Sequence, residues 1–97
     1  MEKLIRDNVA LRIKGKEPHA IRVAEPEEYP ALLRAKLLEE VHEFIDEESV
    51  EELADVLEVI GALMSLYNID PASLATMKQQ KLNLAGGFRG RYVLEIK

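Results

Sequence analysis

The chain has 97 residues, a formal net charge of −5 and 47% hydrophobic residues. This length predicts one small domain, spanning residues 1–97. The absence of cysteine excludes disulfides and cysteine-ligated metal sites, and the acidic charge disfavours binding to nucleic acid or to anionic membranes. No apolar run approaches the about 20 residues of a membrane span. MEKLIRDNV lacks the apolar stretch of a secretory signal, so we expect a cytoplasmic protein.

The first predicted elements are short. DNVALRIK (7–14) predicts a helix with Asp7 as its N-cap and Gly15 as its end. HAIRVA (19–24) is β-prone, and RYVLEIK (91–97) alternates apolar and polar residues at the other end of the chain. We expect these two runs to pair as a minor two-stranded β element beside an otherwise all-α fold.

The middle of the chain predicts three longer helices. The first is expected to start between residues 26 and 30 and to end near residue 47, because its apolar residues recur at spacings of three and four. Ser49 and Glu52 form a capping-box pattern at the start of the second, which runs to about residue 67. The third starts with Asp70 as N-cap and ends near residue 85, where two glycines follow.

Two acidic pairs lie on or beside the apolar faces of the first two long helices. At about 100° per residue, Glu40 borders the apolar arc of its helix and Glu43 lies further out. On the next helix Glu52 falls inside the apolar arc, and Asp55 lies at its edge. An antiparallel hairpin would bring the pairs into one layer, where four carboxylates repel each other unless a cation offsets them. Oxygen ligands select hard cations such as Mg²⁺, Mn²⁺ or Ca²⁺.

Two simpler interpretations of these acids stay open. Glu52 is also the capping-box partner of Ser49. Glu40 and Glu43 can form a solvated helix edge with Lys36 as an ion-pair partner. Two i, i+3 acidic pairs on facing helix flanks together favour a metal site over both.

LEEVHE (38–43) followed by EELADVLEV (51–59) resembles the signature of the MazG-like and phosphoribosyl-ATP pyrophosphohydrolase superfamily. That signature is E-x-x-E, a spacer and E-x-x-D, in all-α nucleoside triphosphate pyrophosphohydrolases. KLIRDN (3–8) and KQQKLNLAGGF (78–88) resemble the start and the third helix of its small house-cleaning subfamily. Asn8 stands where those relatives usually have Lys, and the spacer between the two acidic pairs is short for the superfamily.

The resemblance implies hydrolysis of the α–β phosphate bond of (d)NTPs, aberrant ones in particular, to a monophosphate and pyrophosphate. It implies Mg²⁺, with Mn²⁺ as a substitute, held by Glu40, Glu43, Glu52 and Asp55. Glu39 beside them is expected to orient or deprotonate the attacking water, which makes Glu39 and Glu40 the expected catalytic carboxylates. The expected phosphate-binding cations are Lys3, Arg6, Lys36, Lys78, Lys81 and Arg89.

The apolar arc of the second long helix is wider than one chain of this size can cover. We therefore expect a MazG-like bundle completed by a homodimer or higher homo-oligomer. Two other functions stay open. One is phosphoribosyl-ATP hydrolysis, which the KLIRD and GGF ends disfavour. The other is a helical dimerisation or regulatory module with weak catalysis, against which the four acids count.

Overall fold

The structure is a computed structural model that describes residues 2–96. It is all-α and has four helices: α1 (Asp7–Lys16), α2 (Tyr29–Glu47), α3 (Val50–Leu66) and α4 (Pro71–Ala85). A 3-10 turn (Pro18–Ala20) follows α1. Within residues 2–96, no helix is both long and apolar enough to cross a membrane. The chain divides into two compact units, and the boundary between them falls between Tyr67 and Asn68.

The predicted two-stranded β element is wrong for the described part of the chain, which contains no strand. In the first run Pro18 opens a 3-10 turn that includes His19 and Ala20. In the second run Tyr92 and Val93 are 98% and 85% exposed, and residues 92–96 form no ladder. Lys97 lies outside the described residues. Alternation of apolar residues favours a strand only where a partner and a covered face exist, and an isolated pair of strands is marginal in water.

Helix α1 differs slightly from the sequence prediction. Asp7 is its first residue rather than its N-cap, which is Arg6, and Arg6 makes no side-chain capping bond. The helix continues through Gly15 to Lys16. The segment after α1 is joined to the start of α2 by an arginine clamp, in which Arg22 binds Glu2 and Glu28 at 2.8–3.0 Å.

Helices α2 and α3 form a hairpin, and their predicted bounds are confirmed. They are joined by two residues only. Glu48 has φ 51°, in the left-handed region, and its N–H donates to Phe44 O at 2.7 Å, which closes α2. The Ser49 hydroxyl then accepts from Glu52 N–H at 3.2 Å and starts α3. Asn68, also left-handed at φ 55°, follows the end of α3.

The hairpin buries little apolar surface. Leu33 and Val59 are the buried apolar side chains, and the one buried charged residue of the described chain is Glu40, at 7% exposure. Large apolar side chains on both helices are left exposed, although the sequence places them on the apolar arcs: Leu38, Ile45, Leu53 and Leu57. A two-helix hairpin can cover only one side of each helix, so these residues belong to a face that the hairpin itself leaves uncovered.

The second unit consists of α4 and the residues after it. Asp70 is the N-cap of α4, as predicted: its carboxylate accepts from Ser73 N–H at 3.1 Å, and Pro71 occupies the first helical position. Gly86 follows α4 with φ 82°, a conformation that glycine adopts readily. All described residues of this unit are exposed.

Candidate metal centre

Three of the four predicted metal ligands lie together in the half of the hairpin next to its turn. Glu40 on α2 and Glu52 and Asp55 on α3 each offer one carboxylate oxygen, and these oxygens lie within 4.8 Å of one another. We call these three residues the acid trio. Mg²⁺ holds its ligands at about 2.0–2.1 Å, so oxygens on opposite sides of one ion are about 4 Å apart. The acid trio therefore fits a hard divalent cation with little rearrangement.

Two oxygens of the acid trio are buried and have no partner. They are Oε2 of Glu40 and Oε2 of Glu52. The side chain of Glu40 is only 9% exposed. A buried carboxylate oxygen without a hydrogen bond is costly, because it has lost water and gained nothing in exchange. A divalent cation held by these two carboxylates would compensate their burial, because oxygen atoms are the ligands that hard divalent ions prefer.

Glu52, a member of the acid trio, has a strongly raised pKa. Burial raises the pKa of Glu52 to about 7, with further contributions from a hydrogen bond to Glu43 and from the charges of Glu47, Glu43 and Asp55. One half of the predicted capping box is present, because the Ser49 hydroxyl accepts from Glu52 N–H and caps α3. Oε2 of the Glu52 side chain has no hydrogen-bond partner. Glu52 is thus held among other acids, without a cation of its own.

Glu43, the fourth predicted ligand, is not part of the acid trio. It is exposed, and it lies close enough to Glu52 to share a hydrogen bond that raises the pKa of Glu52. Glu43 sits almost one helical turn beyond Glu40, at the rim of the cluster. Its predicted role as a ligand stays a prediction.

Lys36 and Lys3 surround the predicted catalytic residue Glu39. Lys36 Nζ lies 2.6 Å from Glu39 Oε2 and 3.1 Å from Glu40 Oε1, and Lys3 Nζ lies 3.0 Å from Glu39 Oε1. The hydrogen bond from Lys36 lowers the pKa of Glu39, and the bond from Lys3 adds to this effect. Burial lowers the pKa of Lys36, but its bonds to the two carboxylates outweigh burial and the pKa is raised. Both groups are therefore charged at neutral pH.

Arg6 contacts the acid trio at Asp55. Its Nη2 lies 2.6 Å from Asp55 Oδ1, and its Nη1 lies 3.8 Å from Glu58 Oε1. The hydrogen bond to Asp55 raises the pKa of Arg6. Lys3 and Arg6 were expected at the site only through the family resemblance, and both lie at its acids.

A cavity of about 800 Å³ adjoins the acid trio, between the N-terminal segment and the α2–α3 hairpin. Glu40 and Asp55 line it, and so do three residues that the sequence analysis did not assign to the site: Arg12, Tyr29 and Glu58. Tyr29 could have been predicted from the sequence, because residues 29, 33, 36 and 40 are spaced by three or four and lie on one face of α2. No such spacing places α1 and Arg12 over that face.

The remaining predicted cations lie in the second unit. Lys78 and Lys81 are on α4 and Arg89 follows it, and all three are exposed. Their predicted role in binding phosphate stays a prediction.

Comparisons of the chain with protein-family models, with curated proteins and with solved structures give no match. The resemblance to the MazG-like superfamily thus stays a prediction. Any functional conclusion depends on the chemistry of the site itself.

Proposed function

We propose that the chain is a Mg²⁺-dependent nucleoside triphosphate pyrophosphohydrolase that cleaves the α–β phosphate bond. One observation carries the proposal: carboxylate oxygens of the acid trio lie within 4.8 Å of one another beside a cavity that Lys36 and Arg6 line, and Glu40 and Glu52 each have one buried, unpaired oxygen. An oxygen-only cation site next to basic side chains and a cavity of nucleotide size suits phosphoryl chemistry, which depends on positioning and charge neutralisation.

In this proposal Glu40, Glu52 and Asp55 hold the ion, and Glu43 at the rim joins them. When bound, such an ion would supply positive charge to the phosphate oxygens and would lower the pKa of a bound water. Glu39, fixed by Lys36 and Lys3, orients the attacking water. Its lowered pKa favours positioning the water over taking its proton. The oxygen of the attacking water forms a bond to one phosphorus of the α–β bridge, the bridging P–O bond breaks, and a monophosphate and pyrophosphate leave with the hydrogens of water on the products or released to solvent as protons.

The proposed substrates are canonical and aberrant (d)NTPs, with phosphoribosyl-ATP as the alternative. The test is pyrophosphate release from a panel of these compounds with Mg²⁺, Mn²⁺ or EDTA. We expect metal-dependent release by the wild type and its loss in Glu52→Gln. Glu28→Gln is the matched control, because it removes the same charge from the arginine clamp. No release from any compound by the wild type would contradict the proposal and favour a helical interaction module.

We also propose that a second copy of the chain covers the exposed apolar face of the hairpin and completes a MazG-like bundle. The support is that Leu57 and Leu38 are 63% and 59% exposed at the centre of α3 and on α2. Sedimentation should give a dimer or larger for the wild type, and a monomer for Leu57→Lys. Leu11→Lys on α1 is the control and should not change the mass. A monomeric wild type at tens of micromolar would contradict the proposal.

A cytoplasmic location also remains our proposal.

A further inference from the structure

Two internal cations already compensate part of the acid trio, and their surroundings differ. Lys36 is 16% exposed and touches two carboxylates, Glu39 and Glu40. Arg6 is 53% exposed, and its principal partner Asp55 is 36% exposed. Exposed ion pairs contribute only about 0–1 kcal/mol, because water screens them and the long side chains lose freedom. The Arg6–Asp55 pair is therefore the easier one to open.

The oxygens involved point to the same distinction. Lys36 binds Oε1 of Glu40 and leaves Oε2 buried and unpaired. Glu40 can thus take a cation on Oε2 while it keeps Lys36. Arg6 lies 2.6 Å from Asp55 Oδ1 and belongs to the N-terminal segment rather than to the hairpin. Its guanidinium can therefore leave Asp55 without disturbing helix packing.

We infer that Arg6 is an exchangeable counter-ion: a divalent cation at the acid trio displaces it from Asp55, and it then binds the phosphates of a nucleotide in the adjoining cavity. Lys36 stays at Glu40. The inference rests on the proposed metal site. The family resemblance already implies a phosphate contact for Arg6, and the new element is that a divalent cation displaces Arg6 from Asp55.

The charges balance in this exchange. With all three carboxylates ionised, the acid trio carries three negative charges, which Arg6 and Lys36 reduce to one. A divalent ion converts this to an excess of one positive charge. A polyphosphate in the cavity takes up that excess, and the released guanidinium can bind its oxygens in a bidentate manner. Metal and polyphosphate should consequently bind with positive coupling, and the coupling is reciprocal.

The cavity offers a matched control. Arg12 lines the same cavity, but among the described residues it has no ion pair with a carboxylate. Arg6→Gln and Arg12→Gln remove the same charge from one cavity. Only Arg6→Gln also removes a competitor of the metal from Asp55.

The experiment measures two affinities for the wild type and both variants: Mn²⁺ alone, by electron paramagnetic resonance, and the preformed Mn²⁺–tripolyphosphate complex, by calorimetry. In the wild type, Mn²⁺ must break the exposed Arg6–Asp55 ion pair, which is worth up to about 1 kcal/mol. Arg6→Gln removes this cost and should bind Mn²⁺ alone about 3- to 5-fold more tightly. The same variant should bind the complex more weakly than the wild type. Arg12→Gln should change Mn²⁺ affinity less than about 2-fold. Arg6→Lys, which keeps the charge but not the fork of donors, should fall between wild type and Arg6→Gln.

The outcomes separate the two proposals. A wild type that binds no Mn²⁺ at millimolar concentration overturns the metal site and the exchange together. If the wild type binds Mn²⁺, the exchange alone is overturned by two results. One is an Arg6→Gln affinity for Mn²⁺ equal to that of Arg12→Gln. The other is unchanged affinity of Arg6→Gln for the complex.

Discussion

The first unit contains two clusters of carboxylates that use the same residue types in opposite ways. In the arginine clamp, one guanidinium makes paired hydrogen bonds to Glu2 and Glu28. These bonds lower the pKa of both acids, that of Glu28 to about 2. In the acid trio, burial raises the pKa of Glu52 to about 7, and buried oxygens of Glu40 and Glu52 have no partner.

The difference shows which cluster belongs to the fold and which one is suited to a ligand. The clamp is fully hydrogen-bonded and exposed, and it ties the N-terminal segment to the start of α2. The acid trio is partly buried and has fewer positive charges than negative ones. Buried charge without full compensation is kept in proteins mainly where it performs a task. The predictions below test this contrast, with the clamp as the internal reference.

The largest expected effect is on catalysis. Glu40→Gln should lower metal-dependent pyrophosphate release by at least about 100-fold. Substitution of residues that only support metal ligands already lowers metal affinity or activity about 10–100-fold, and Glu40 is proposed as a direct ligand. Glu28→Gln in the clamp should stay within about 2-fold of the wild type. Release rates at saturating Mg²⁺ measure both. Equal losses in the two variants would remove the distinction between the clusters.

Divalent cations should stabilise the folded chain through the acid trio only. At a free concentration 100 times the dissociation constant, binding adds about 2.7 kcal/mol to the free energy of unfolding. The thermal midpoint should rise on addition of Mg²⁺ or Mn²⁺ in the wild type and in Glu28→Gln, but not in Glu52→Gln. A midpoint that rises equally in Glu52→Gln would mean that the cation binds elsewhere.

The two clusters should change stability with pH in opposite directions. Glu52 has a pKa of about 7 in the folded chain against an ordinary value of 4.5, so the folded state keeps a proton that the unfolded state releases. The free energy of unfolding therefore falls as pH rises from 4.5 to 7, and Glu52→Gln removes this fall. Glu28, with a pKa of about 2 against 4.5, stabilises the fold above pH 4.5 and loses that effect as pH falls towards 2.

Urea unfolding in EDTA measures both effects. For Glu52 the comparison is wild type against Glu52→Gln between pH 5 and pH 8. For Glu28 it is wild type against Glu28→Gln between pH 5 and pH 3. The difference in free energy of unfolding between wild type and variant should fall with rising pH for Glu52 and rise with rising pH for Glu28. If both differences change with pH in the same direction, the contrast in electrostatics between the two clusters is incorrect.

The smallest effect concerns the turn that belongs to neither cluster. Glu48 has a left-handed backbone, which costs non-glycine residues about 1 kcal/mol. Glu48→Gly should raise the free energy of unfolding by about 0.5–1 kcal/mol. Glu47→Gly, one residue earlier and still helical, should lower it by a similar amount. Urea titrations of the two variants give the comparison, and a loss of stability in both would contradict the assigned strain.

The sequence allowed the acid trio to be predicted because its geometry is local. Helix phase and a short connector are enough to bring Glu40, Glu52 and Asp55 together. The cavity could not be predicted in this way, because α1 and Arg12 reach the hairpin through irregular chain whose path no periodicity encodes. The β element failed for a related reason: strand pairing depends on distant partners, and residues 92–96 form no ladder. Glu43 shows the limit of spacing arguments, since the predicted four-ligand set contains a member that lies at the rim.

The two-residue connection between α2 and α3 has a consequence for how this chain can change. One inserted residue would turn α3 by about 100° about its axis. The hairpin could still pack, because apolar side chains surround much of α3, but Glu52 and Asp55 would face away from Glu40. Insertions or deletions at residues 48–49 should thus preserve folding and abolish cation affinity. Changes in the length of this turn can therefore separate the stability of the hairpin from its ability to bind a cation.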